Sequence, residues 1–105
     1  MAQFTIYRNK NAHTKATFPL LVDVQSDLLE GLQTRVVIPL TKAAALTKKP
    51  LSKLTPSLEI EGEIYALMTP QLAGVARHDL GNALGSLVER RDTILAAVNF
   101  LLTGF

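Results

Sequence analysis

From Leu87 onward the apolar residues Leu87, Ile94, Val98, Leu101 and Phe105 recur at helical steps, and Val88, Leu95 and Leu102 form a second row beside them. Spacings of three, four and seven predict one long helix over Ser86–Phe105. Ser86 followed by Glu89 has the spacing of a capping box, which satisfies two backbone N–H groups of the first turn. Gly104 suits the position just past the last turn, where a left-handed conformation is needed. The two rows make the apolar surface too wide for one contact, so one side faces the domain's own core and the other asks for a partner. Phe105, at the end, reads either as part of a working surface or as a side chain folded back onto the core.

Upstream the period changes to two. Gln3–Arg8 alternates as a short edge or first strand, and Asn9–Lys15 is polar and turn-rich, a loop carrying His13. Leu20–Val24 is a strand, with Pro19 at its start because proline donates no ladder hydrogen bond. After Gln25-Ser26-Asp27 and Gly31, Arg35–Leu40 makes a third strand containing Pro39, and prolines in strands suggest a strongly bent sheet. Thr41–Pro56 reads as loop. Leu58-Glu59-Ile60 and Ile64–Met68 flank Glu61-Gly62-Glu63 as a hairpin. A last extended piece at Gln71–Arg77 precedes Gly81 and Gly85. Strands in series followed by one helix give an α+β domain: a small, strongly bent antiparallel sheet or partly open barrel with one long C-terminal helix, a single domain over 1–105.

Composition narrows the chemistry. The chain has 105 residues, 48% of them hydrophobic, and a chain of this size gains appreciably from sharing a surface with a second copy, so a homodimer is expected. The longest strongly apolar run, Ile94–Leu102, falls short of the roughly 17–25 residues of a membrane span, and no secretory leader is visible, so the expected compartment is the cytoplasm. The absence of cysteine excludes thiolate catalysis and cysteine-based zinc sites, and the two separated histidines, His13 and His78, do not suggest a metal centre. No cofactor is expected. The net charge of +2 argues neither for nor against nucleic acid, and no specific nucleic-acid binding is expected. Charge is unevenly placed, however: between Arg35 and Glu59 the charged residues are Lys42, Lys48, Lys49 and Lys53, with no acid. That block is either a solvated face or a docking site for an anionic partner.

Enzyme motifs are scarce: there is no phosphate-cradling glycine loop, no G-x-S-x-G, and no carboxylate pair on one helical face. The best constellation is Arg77-His78-Asp79, which could supply an anion anchor, an acid and a base. Consecutive residues on an extended chain point in opposite directions, and a loop leading into the helix, with Asp79 near the positive end of its dipole, is the stronger reading.

The segment Leu21-Val22-Asp23-Val24-Gln25-Ser26-Asp27, the V-V-I-P-L core within Arg35–Leu40, the initial Gln3-Phe4 strand, and Ala97-Val98-Asn99 with the closing Gly104 and a bulky apolar residue together resemble the CcdB family. These are the gyrase-poisoning toxins of bacterial toxin–antitoxin modules. The resemblance runs over essentially the whole chain. It implies a non-enzymatic homodimer that binds the A subunit of DNA gyrase, traps its cleaved-DNA complex, and serves in plasmid maintenance. It places Ser26, Leu28, Asn99, Thr103, Gly104 and Phe105 on the gyrase-binding surface. At Thr103 the best-known members carry a tryptophan, and its loss forfeits about 1–3 kcal/mol of hot-spot energy. The implied antitoxin is CcdA-like, acidic and mostly disordered, and it suits the lysine block Lys42, Lys48, Lys49, Lys53 together with Asn9 and Lys10. The competing class is an RNA-cleaving toxin of the related MazF/Kid type, in which Arg77, His78 and His13 would be catalytic. A structural dimerisation module without toxicity is the third reading.

Overall fold

A computed structural model of the chain describes residues 2–47 and 52–104. Seven strands form one curled antiparallel sheet: β1 (Thr5–Asn9), β2 (Leu20–Asp23), β3 (Thr34–Lys42), β4 (Ser57–Ile60), β5 (Glu63–Leu67), β6 (Ala73–Ala76) and β7 (Leu80–Ser86). Along the curl the order is β4-β5-β3-β2-β1-β7, with β6 paired to β3 beside β5. The helix α1 (Arg91–Thr103) packs on the hollow face, so the expected α+β half-barrel with one C-terminal helix is what forms.

Alternation sorts the side chains. Ile6, Val22 and Ile38 lie across from one another on adjacent strands and bury into the core shared with Ile94 and Ala97 of α1. Tyr7, Leu21 and Val37 point to the opposite face and form a smaller buried cluster with Leu80. Both faces of β2 are therefore buried.

Pro39 lies within a central strand rather than at an edge. The odd-numbered residues of β3 turn their backbone polar groups away from β2, toward β6 over Thr34–Val37 and toward β5 over Leu40–Lys42. Pro39 falls at the junction of these two partners, where its carbonyl accepts from the Met68 N–H at 2.9 Å and no ladder donor is required of it. The proline thus sits where the sheet divides, which is how a bent sheet tolerates it.

Three boundaries differ from the sequence reading. The last extended piece is expected at Gln71–Arg77, ahead of Gly81 and Gly85, yet β7 runs through both glycines as a seven-residue strand on β1. A Cβ on Gly81 would lie 3.0 Å from the Arg8 carbonyl oxygen, so this glycine permits close approach rather than marking a turn. α1 begins at Arg91, not Ser86: Ser86 Oγ accepts from the Val88 N–H at 3.1 Å, and a 3-10 turn over Val88–Arg90 intervenes. The polar loop begins one residue later than expected, since Asn9 ends β1 and is buried.

The hairpin turn is Glu61-Gly62, both at positive φ (52° and 80°), closed by the Ile60–Glu63 pair. Gly104 adopts the left-handed cap at φ 80°, its N–H bonding the Phe100 carbonyl at 3.0 Å.

Candidate functional site

The VDVQSD and RVVIPL segments, on successive strands, meet through a buried ion pair. Asp23 on β2 and Arg35 on β3 lie on the face away from α1, both side chains fully buried. Arg35 Nη2 stands 2.6 Å and Nε 2.8 Å from Asp23 Oδ2, while Asp23 Oδ1 accepts the Gln25 N–H at 2.9 Å. Gln25 extends the network: its Oε1 accepts from the Val36 N–H at 3.0 Å and its Nε2 donates to the Leu29 carbonyl at 2.9 Å. A charged pair in a small core costs desolvation, so its retention points to something it holds in place.

What it holds is a knuckle. Asp27–Leu29 form a 3-10 turn capped by Ser26 Oγ, which accepts the Leu28 N–H at 3.2 Å. Gln3 braces the turn, donating its backbone N–H to Asp27 Oδ1 at 2.7 Å and its Nε2 to the Val24 carbonyl at 3.1 Å. Arg77 Nη2 donates to the Glu30 carbonyl on the other side. Leu28 projects from this braced turn 94% exposed, with Leu29 and Leu32 half exposed beside it. Ser26 and Leu28 thus belong to one rigid, apolar-tipped projection. Leu29 and Leu32 were missed by sequence reasoning, although the L-L-E-G-L spacing across the turn carried the signal.

The second group is the end of α1. Ile94 and Ala97 are its buried side, and Leu95 (41%), Leu101 (38%) and Leu102 (72%) remain exposed, an apolar flank that the described residues leave open. Asn99 and Thr103 are exposed, Thr103 Oγ1 donating to the Asn99 carbonyl at 2.7 Å, and Gly104 follows at the cap. Thr103 therefore spends its hydroxyl on the helix itself. The knuckle and the helix end stand on different elements; Phe105 lies outside the described residues.

The lysine block is less uniform than its sequence. Lys42 has a counter-charge, Glu63 at 3.6 Å across the β3–β5 pairing, which corrects the expectation of four uncompensated cations. Lys53 Nζ lies 5.2 Å from the centre of the Phe100 ring, tying the segment after β3 to α1. Lys48 and Lys49 lie outside the described residues. Lys10 is exposed, but Asn9 is not available to a partner: its Nδ2 donates to Thr14 Oγ1 and the Phe18 carbonyl, both at 2.9 Å, so it organises the 10–18 loop from within. Between that loop and Lys42 opens a groove of about 640 Å³, lined mainly by Phe18, Pro19, Ala45, Leu46 and Met68.

Arg77-His78-Asp79 forms a 3-10 turn leading into β7, so Asp79 does not stand at the helix N-terminus. Arg77 is engaged with the Glu30 carbonyl, and the His78 side chain is 83% exposed, 3.7 Å from Asp79. An exposed imidazole and a guanidinium occupied by a backbone carbonyl lack the enclosure that acid–base chemistry on a bound substrate needs. Among the described residues no helix is long and apolar enough to cross a membrane. A model of the CcdB protein family matches residues 3–104. The chain accordingly belongs to the CcdB family, the toxins of toxin–antitoxin modules.

Proposed function

We propose that this toxin acts without catalysis of its own, by binding the A subunit of DNA gyrase and trapping the cleaved-DNA complex. The observation that carries the reading is Leu28, 94% exposed on a turn braced by a buried ion pair. An apolar side chain held rigidly in water at no benefit to the fold is what an interface anchor looks like, because its ordering cost is met before the partner arrives. Ser26 and Leu28 on the knuckle, and Asn99, Thr103, Gly104 and Phe105 at the helix end, are the proposed contacts. The test incubates the purified protein with gyrase, ATP and plasmid, and separately with RNA. Accumulated cleaved DNA with intact RNA is expected. Degraded RNA and no cleavage complex would overturn the reading in favour of an RNA-cleaving toxin.

The protein is proposed to work as a cytoplasmic homodimer in which a second copy covers the exposed Leu101–Leu102 flank of α1. Sedimentation at micromolar concentration is expected to give about twice 11.4 kDa; a stable monomer there removes the basis for a shared helix surface.

The antitoxin, an acidic and largely unfolded segment, is proposed to dock along Lys10, Lys42, Lys48, Lys49 and Lys53. The apolar groove beside Lys42 supports this, since it offers burial to the segment's hydrophobic residues while the lysines attract its acids. Exposed charges are screened over about 10 Å at 0.1 M salt, so their main effect is on encounter. Changing Lys48, Lys49 and Lys53 together to glutamine is expected to slow association about tenfold at low salt and to flatten its salt dependence. An unchanged association rate would move the docking site elsewhere.

A further inference from the structure

The curled sheet does not close, and its two ends, β4 and β7, face each other across a seam. Two adjoining cavities of about 200 and 260 Å³ run along it, both lined by Ile60, Glu61 and Leu84. The floor of the first is apolar, made by Ile6, Ile60, Leu84 and Leu87, and Glu59 and Glu61 stand on its β4 side. In the second, Arg8 and Lys42 are present, but Lys42 is already matched by Glu63.

The β4 edge is open in a specific sense. Pro56 O accepts from the Leu67 N–H, and Leu58 and Ile60 pair with Tyr65 and Glu63, so the even-numbered residues spend their backbone groups on β5. The N–H and C=O groups of Ser57 and Glu59 therefore point toward the seam, because alternate residues of an antiparallel strand bond to opposite sides. Leu58 and Ile60 turn inward and the Glu59 side chain outward.

A strand laid against this edge would meet main-chain groups that have no partner among the described residues, an apolar floor beneath its inward side chains, and a carboxylate opposite its outward ones. We infer that the seam binds an extended peptide from another protein, which adds to β4 as a further strand with valine-like residues inward and lysine or arginine outward. This site is separate from the knuckle and the helix end and touches the lysine block at Lys42, which lines its second cavity, and the inference does not depend on the gyrase reading.

The probe is an acetylated, amidated octapeptide alternating lysine and valine, titrated into isotope-labelled protein and followed by NMR. Expected are shifts of the Ser57, Glu59 and Leu84–Leu87 amides, and slowed hydrogen exchange at Ser57 and Glu59. Glu59→Lys should weaken binding about tenfold, since an attractive cross-strand pair becomes a like-charge clash. The same change at Glu30, on a different element, should not. Glu59 is exposed, so the variant is expected to fold normally. Binding unaffected by Glu59→Lys, equal loss in Glu30→Lys, equal binding of a glutamate–valine peptide, or shifts confined to other residues would each overturn the inference.

Discussion

Asp23→Ala is expected to remove about 3–5 kcal/mol of stability, the range for breaking a buried ion pair and leaving one charge unpaired. Arg35 would keep a fully buried guanidinium facing only the Gln25 carbonyl at 3.5 Å. Its Nη1 already has no hydrogen-bond partner among the described residues, so the network has no spare acceptor to offer. The Gln25 N–H would lose its acceptor as well, and the turn above it would lose its base. In a domain whose whole stability is about 5–15 kcal/mol, the loss is a large share, and urea unfolding measures it directly. The double variant Asp23→Leu with Arg35→Met separates two meanings of the pair. Replacing both charges removes the desolvation cost and should recover most of the stability, while the knuckle, without its Asp23 acceptor, should still bind gyrase poorly. If the double variant remains as unstable as Asp23→Ala, the pair is a net contributor to folding; if it recovers both stability and gyrase binding, the pair does not position the turn.

Leu28→Asp is expected to do the reverse, abolishing function while sparing the fold. With 94% of the residue exposed, little packing is lost, and a surface change of this kind shifts stability by about 0.5 kcal/mol or less. At an interface centre, by contrast, an aspartate buries an unpaired charge, and losses of about 2–4 kcal/mol, or roughly 30- to 1,000-fold in affinity, are usual for a hot spot. The measurements are melting temperature and gyrase-dependent DNA cleavage on one preparation. Deleting Gly104 and Phe105 is a parallel test of the helix end, where few described core contacts are at stake. Thr103→Trp should act in the opposite direction and strengthen inhibition, by restoring a large ring beside the cap. A Leu28→Asp protein that melts normally and still poisons gyrase would take the knuckle out of the proposed site.

The local elements were legible where one residue type imposes a conformation. Gly62 after Glu61 marked the hairpin, Gly104 the helix cap, and the apolar runs expected as strands at Leu20–Val24 and Arg35–Leu40 the central strands. Local rules failed where a residue served a neighbour distant in sequence. Gly81 lies beyond the last extended piece expected from sequence but clears space for Arg8 within β7, and Asn9 looked like loop but binds the loop from beneath. The capping box expected at Ser86 and Glu89 does not form: Ser86 Oγ accepts the Val88 N–H two residues on, and the 3-10 turn over Val88–Arg90 has no side-chain cap.

The sequence alone thus determined the order and type of most elements, the family, and the apolar excess of α1, because each depends on spacing, composition or a motif within a short window. Only the tertiary structure decided which charges are free. Asp23 and Arg35 are twelve residues apart and gave no sign of pairing until β2 lay against β3. Lys42 looked unopposed until β5 brought Glu63 to it, and Lys53 looked solvated until the Phe100 ring came beneath it. Burial and partnership are properties of the neighbours a side chain acquires, and strand register sets those neighbours over distances that no local pattern spans.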